Sequence, residues 1–349
     1  MKMNLYLILY IILTLNLYSQ NPKQKGLLEI DFSVPDIPAM KSLGVENSNI
    51  LRPTTPGELG IQLSKRFDDG NFTIPSALAI EFKPFDLSYE VKANEFENFK
   101  NNFRISLGSI FDTISKMSFY SFGFRYTLDY GFSKELNLIN NKKKDEILRL
   151  RSELISNLKL KYAGNLEKLE NDPMLNKEAD DYAYNIYLDS LKSEVNNNYW
   201  NKSKIDIATA ISFSSKDSTG TEPEIRSYNA WLTFSLGIDK WGQLLLGGSF
   251  RYYKEELTQN HLSGSLGLRL YGGTNILKAF IEISGISDNL NLIKNSLLVN
   301  GGLEFKITKG TWLVYNLGWI DDLESGSSKF KTNLDFKYNI AEIINFINN

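Results

Sequence analysis

No cysteine occurs anywhere in the 349-residue chain, and only one histidine does. The first absence excludes disulfide scaffolds, thiolate nucleophiles, cysteine zinc sites and iron–sulfur clusters, and the second excludes histidine-rich metal centres. An excess of charge is also lacking. With 39 basic side chains against 41 acidic ones, nothing points to a nucleic-acid partner. No P-loop, dinucleotide fingerprint or calcium-loop pattern occurs, so no cofactor is expected. Asp321-Asp322-Leu323-Glu324 reads as an exposed acidic loop rather than a metal site. What the chain does have is apolar and aromatic bulk. Hydrophobic residues make up 42%, including 18 Tyr and 21 Phe, which is enough for a large core and too much for disorder.

Long hydrophobic runs are missing as well, apart from Leu5 to Leu15 (LYLILYIILTL), which follows Lys2 and precedes Leu17-Tyr18-Ser19. About 11 residues rise only ~16 Å as a helix, roughly half a bilayer core, so this run is too short for an anchor. Residues 1–19 are therefore expected to be a signal peptide, removed near residue 19. Any later membrane crossing must use strands.

The body of the chain alternates with period two. Phe330, Thr332, Leu334, Phe336, Tyr338 and Ile340 interleave with Lys329, Lys331, Asn333, Asp335, Lys337 and Asn339. Similar patterns run through 262–270 and 297–307, and shorter ones through 59–63, 78–82, 103–107, 122–130, 205–213, 228–238, 244–252, 277–283 and 313–319. This periodicity predicts about 12 strands, many near the length of a tilted membrane strand. A soluble sandwich would turn the apolar face inward, whereas a membrane barrel turns it outward. The connections favour the barrel: tight turns at Asp239–Gly242, Gly272–Asn275 and Thr308–Gly310 alternate with longer polar segments at 215–225, 255–260, 286–295 and 320–327. Tyr130, Tyr228, Tyr252, Trp319 and Tyr338 near strand ends suit interfacial girdles.

Over roughly Glu58 to Ile340 these patterns resemble the outer-membrane β-barrel proteins of Gram-negative bacteria, as a class. The resemblance implies an all-β, antiparallel transmembrane barrel spanning 58–340, outer-membrane lipid as its surroundings and the barrel-assembly machinery as a partner. The chain departs from many such barrels in ending with 341–349 (AEIINFINN) rather than a terminal aromatic, although Phe336 and Tyr338 lie close by.

Two segments break the pattern. In 140–201, Ile147, Leu150, Leu154 and Leu158, and then Tyr184, Leu188, Leu191 and Val195, recur at helical spacing, predicting a two-helix insert on the short-turn, periplasmic side. It either packs on or in the barrel or docks a periplasmic protein; Lys142-Lys143-Lys144 reads as a solvated helix start. The lead at 20–57 holds five of the nine prolines, with a short helix-like run at Ala39 to Leu43. Continuous strand is excluded there, leaving a periplasmic lead, a plain linker or a plug in the lumen.

Candidate chemistry is sparse. His261-Leu262-Ser263 matches the His-x-Ser pair of an outer-membrane phospholipase, but Leu262, Leu266, Leu268 and Leu270 claim the lipid face and turn His261 and Ser263 inward, so no enzyme is expected. By the same parity Glu81, Arg104, Arg125, Asp129, Asp206, Arg251, Arg269, Lys278, Glu282, Glu304, Lys306 and Asp335 line the lumen. These charges either cross-link a closed interior or line a narrow aqueous path. The first functional expectation is a narrow passive channel or small-solute transporter. The second is a non-conducting scaffold binding a periplasmic partner through its insert, and the third is a lipid-modifying enzyme.

Overall fold

Alternation becomes a closed wall in the computed structural model, which describes residues 36–44, 48–53, 60–68, 71–72, 77–82, 84, 99, 102–112, 117–129, 149, 152–153, 156, 200–215, 223–254, 261–288, 295–308, 310–323, 326 and 328–339. In chain order the strands are β1 (Gly60–Asp68), β2 (Asn71–Phe72), β3 (Ala77–Phe82), β4 (Phe103–Phe111), β5 (Ser118–Asp129), β6 (Lys204–Ser215) and β7 (Glu224–Ile238). They continue with β8 (Gly242–Tyr253), β9 (His261–Gly273), β10 (Leu277–Asp288), β11 (Asn295–Thr308), β12 (Thr311–Asp322) and β13 (Ser328–Asn339). Each long strand pairs antiparallel with its sequence neighbours, and β13 pairs with β1 from Gly60–Asn339 to Phe67–Thr332, which closes the sheet and leaves no long edge. The two-residue β2 only extends the β1 hairpin, so twelve strands form the barrel.

The two faces sort as the parity predicts. Leu266 (65% exposed), Ile281 (63%) and Leu236 (58%) lie on the outside, whereas Arg269, Lys278 and Glu282, on the other parity of the same strands or their neighbours, are at most 2% exposed. Exposed apolar side chains around a buried charged interior invert a soluble core, and they match a wall whose solvent is lipid.

At one rim β7–β8, β9–β10 and β11–β12 are joined by connections of two or three residues, and positive φ at Asp239 (49°) and Gly310 (73°) makes two of them tight. The β5–β6 connection, 130–203, leaves from this same rim, as does β3–β4. Its return is pinned to the rim. Trp200 Nε1 donates to the Lys240 carbonyl (3.1 Å), and Asn201 Nδ2 donates to the carbonyls of Asp239 (2.8 Å) and Gly242 (2.6 Å). Residues 131–199 form a second compact unit. Of the two helices expected there, four residues are described: Arg149, Ser152, Glu153 and Ser156, all helical and exposed, on the polar side of the predicted stripe. The stripe itself, the signal segment 1–19 and the tail 341–349 lie outside the described residues.

Residues 36–44 and 48–53 run inside the barrel. The short helix α1 (Pro38–Ser42), which has Pro at its start where a missing N–H costs nothing, is buried along its whole length against β3 to β7. Ile37, Ala39, Met40 and Leu43 pack with Ala77 and Ala79 of β3, while Leu51 packs with Ala208, Ala210 and Trp231 of β6 and β7. The wall is notched to receive this segment. A Cβ on Gly108 would lie 3.2 Å from the Ala39 backbone, and one on Gly247 would lie 2.7 Å from Ile50 Cγ2.

The Gly247 notch gives a direct test. Gly247→Leu is expected to leave barrel closure intact, read as heat-modifiable migration, while weakening the seating of 36–53 by about 1–3 kcal/mol through overpacking. Trypsin cleavage after Lys41 should then accelerate, and an unchanged cleavage rate would show that the notch does not hold the segment.

Candidate functional site: the filled lumen

Inward charges on a barrel too narrow to hydrate them need partners, and the strand register supplies the first set. Arg104 and Arg125 are an opposed pair on β4 and β5. Both reach Glu81 Oε1 on β3, at 3.6 and 3.2 Å, and Arg125 Nε lies 3.3 Å from Asp206 Oδ2 on β6. Thr127 Oγ donates to the other oxygen of Asp206 (2.5 Å). Across the barrel Arg269 on β9 and Glu282 on β10 stand opposite each other and form a two-point pair at 2.7–2.8 Å.

The second set of partners comes from the internal segment. Asp36, just before α1, gathers Lys337 Nζ from β13 (2.7 Å), Arg269 from β9 (3.6 Å) and Lys41 of its own helix (3.8 Å). The Arg52 backbone N–H donates to the same carboxylate (3.2 Å), closing 36–52 into a hairpin. Arg52 itself pairs with Glu304 on β11 (2.5 Å) and lies over the Tyr271 ring. Ser48 Oγ and the Asn49 N–H donate to Glu282 (2.7 and 3.1 Å), and Ser42 and Ser121 share a short hydroxyl contact. One gap between hairpin and wall, lined by Asp36, Arg269, Glu304, Asn316 and Asp335, is about the size of a single water.

The side chains of eleven of the twelve predicted lumen residues can be placed. Glu81, Arg104, Arg125, Asp206, Arg269, Lys278, Glu282, Glu304 and Asp335 are buried inward. Arg251 is half-buried and bonds Asn229 Oδ1 (2.5 Å), Tyr253 OH (2.6 Å) and the Lys41 carbonyl (3.0 Å). Lys306 lies 5.8 Å from the Trp312 ring centre, and Lys278 is held closer, 4.2 Å from Trp312 and 5.2 Å from Trp200. Asp129 stands at the end of β5 opposite Lys204, and its side chain lies outside the described residues. Asp36, Lys41, Arg52, Lys204 and Lys337 escape the parity list. Lys337 shares the parity of Asp335 and was legible, whereas the three from the hairpin sit in a segment with no period to read.

His261 and Ser263 do face inward. The His261 ring is buried beside Tyr253, with Nδ1 3.9 Å from Asp288, while Leu262 is on the lipid side. Asp321 and Asp322 end β12, and among the described residues no group of three or more potential ligands forms a metal centre.

No protein-family model matches the chain, and no curated protein does. Among solved structures the fold is similar to the KdgM porin, with a TM-score of 0.42, 8% identity, and 80% of this chain and 98% of that one covered. It is similar to the outer membrane protein Omp33 of Acinetobacter baumannii (0.35, 7%, 81% and 97%) and to LpxR from Salmonella typhimurium (0.38, 8%, 81% and 99%). The strand pairing of the chain itself makes a closed antiparallel barrel of twelve strands.

Burial pushes the Asp36 carboxyl upward, but Lys337, Lys41 and Arg269 together outweigh it and hold the group well below its ordinary value of 3.8. A lowered folded value means that the stabilisation is complete above the ordinary value and is lost as pH falls through the lowered one. Hydrogen exchange of 36–53 is therefore expected to stay slow from neutral pH down to about 3.8 and to rise only in stronger acid. Asp36→Asn, which removes the carboxylate that Lys337, Arg269 and Lys41 share, is expected to cost about 3–5 kcal/mol and to abolish that acid dependence. Exchange that rises well above pH 3.8 in the native chain, or that is unchanged in the variant, would rule out this role for Asp36.

Proposed function

We propose that the protein is an outer-membrane channel for small solutes that rests closed, with residues 36–53 as its plug. The observation that carries this reading is the way the lumen is filled: besides the pairs that wall side chains form with one another, a polar, charged wall is occupied by a non-covalently held hairpin of the same chain, seated in glycine notches. A twelve-strand barrel lies between the filled eight-strand type and the open porins, so removing the hairpin exposes an aqueous path. Segment 1–19 supplies export, with removal near residue 19, and lipid and the barrel-assembly machinery are the expected partners of the wall. His261 and Ser263 give little support to a lipid-modifying enzyme, because they face the lumen with Asp288 while acyl chains lie outside.

The same filled lumen favours one second reading, a non-conducting scaffold that binds a periplasmic protein through 140–201. The two readings separate in planar bilayers. The natural chain is cysteine-free, so Ser42→Cys with Ser121→Cys, whose hydroxyls touch, places one disulfide between plug and wall. In an Asp36→Asn background, conductance steps are expected with the pair reduced and are expected to vanish when it is oxidised. Steps indifferent to oxidation would mean that the hairpin is not the gate. Silence in both states, from folded protein, would favour the scaffold, as would a periplasmic partner captured by the full chain and lost with 140–201.

A further inference from the structure

The short-turn mouth carries a second obstruction, and it does not belong to the hairpin. Residues 200–203, the last before β6, form a strap against the inner face of β7 and β8. Ser235 Oγ and Gln243 Nε2, both buried and inward, donate to the Lys202 carbonyl (3.3 Å each), and the Gly237 N–H donates to Ser203 Oγ (3.3 Å). A Cβ on Gly237 would lie 2.5 Å from the Asn201 carbonyl oxygen, so the wall is thinned where the strap crosses it. The bonds of Trp200 and Asn201 to the β7–β8 turn fix the strap at the rim.

Trp200 carries the strap into the lumen. Its side chain stands at a rim yet the residue is only 3% exposed, and its ring centre lies 5.2 Å from Lys278 Nζ, which points inward from β10. Trp312 points inward from β12, with its ring centre 4.2 Å from the same ammonium. Tryptophan offers an ammonium its most favourable aromatic face. Lys278 and Trp312 are each the second residue of their strands from the short-turn rim, so they stand at one height. In the strand order β6, which the strap enters, and β12 are six apart on a wall of twelve and therefore face each other. Trp200, Lys278 and Trp312 thus form a bar across the mouth. One step further in, Phe280 and Tyr271 add a second layer of rings, with centres 5.2 Å apart.

None of the three bar residues lies in 36–53, so the bar stays when the hairpin leaves. Passage is then confined to the space beside three large side chains, and the tightest section of a pore sets both its conductance and its size limit. Resting on the channel reading above, we propose that this bar is the size-selecting constriction of the open path. Trp200, delivered by the strap rather than by a barrel strand, sets the largest solute that passes. The hairpin decides whether the path is open, and the bar decides what fits through it.

The test uses planar bilayers and the full chain carrying Asp36→Asn with the reduced Ser42→Cys and Ser121→Cys pair, the background in which steps are expected. Polyethylene glycols of graded size are the probes, since a polymer lowers the conductance of a pore only if it fits inside. Trp200→Ala is expected to raise unitary conductance about twofold and to shift the exclusion limit to larger polymers, and Trp312→Ala, from the facing wall, to do the same. Trp200→Phe and Trp312→Phe, which keep smaller rings against Lys278, should fall between, and they serve where an alanine variant does not fold. Trp241→Ala removes an exposed tryptophan from the same rim and should change neither reading. Unchanged conductance and exclusion limit in the bar variants, from protein with heat-modifiable migration, overturn the proposal, as does an equal rise in Trp241→Ala. If the background conducts and the bar variants match it, only the constriction fails; if no variant conducts, the channel reading fails with it.

Discussion

A charged side chain pointing into a narrow closed barrel must be neutralised within a few ångströms, and this constraint organises the rest of the molecule. Period-two alternation leaves no choice about direction: once Leu266, Leu268 and Leu270 face lipid, Arg269 faces the axis. Cross-strand register can then pair only charges on adjacent or next-but-one strands, such as Arg269 with Glu282 or Arg104 and Arg125 around Glu81. Charges on opposite walls are too far apart to meet. The hairpin bridges them, bringing one carboxylate, Asp36, to Arg269 and Lys337, which belong to strands four apart, and one guanidinium, Arg52, to Glu304.

Buried ion pairs of this kind contribute little net stability, because desolvation offsets most of their attraction, yet breaking one partner away is expensive. They act on specificity instead. A hairpin held by packing alone could slide in an apolar tube, but one held by Asp36 at its base has a single register in which Ile50 meets Gly247 and Ala39 meets Gly108. On the channel reading, a single seated register separates the interior into two discrete states, seated and vacated, rather than a continuum. That separation is what a gate requires and what a permanently filled core would lack.

How much of this was legible in the sequence follows from the range of each interaction. Strand number, inward parity and the rim from which 130–203 departs could be read because they depend on neighbours two residues apart and on turn lengths. Lys337 could have been added to the lumen set by the same rule, one position pair beyond Asp335. The destination of 36–53 could not be read, since its prolines remove periodicity without saying where the segment goes, and Asp36 meets Lys337 across 301 positions of sequence. Only closure of β13 on β1 completes the wall from which that lysine reaches Asp36. Trp200 and Trp312 were similarly opaque: tryptophans at strand ends read as interfacial anchors, but these two turn inward, where their aromatic faces lie against the Lys278 ammonium.

The two ways in which the wall holds its plug differ in what they demand of an occupant. Glycine notches at 108 and 247 are shape-specific, and they match the side chains of Ala39, Leu43 and Ile50 and no arbitrary chain. The arginine contacts ask only for oxygen, because Arg125, Arg251 and Arg269 all bind main-chain carbonyls that any peptide, or any solute with acceptors along its length, can imitate. Shape therefore makes the hairpin the preferred tenant at rest, through burial that a hydrophilic solute cannot match, while polar chemistry leaves the seat open to competition. On the channel reading, a plug fixed by notches alone would not respond to a solute and one fixed by arginines alone would not stay closed, so the two kinds of contact together suit a barrel that rests shut and can be opened.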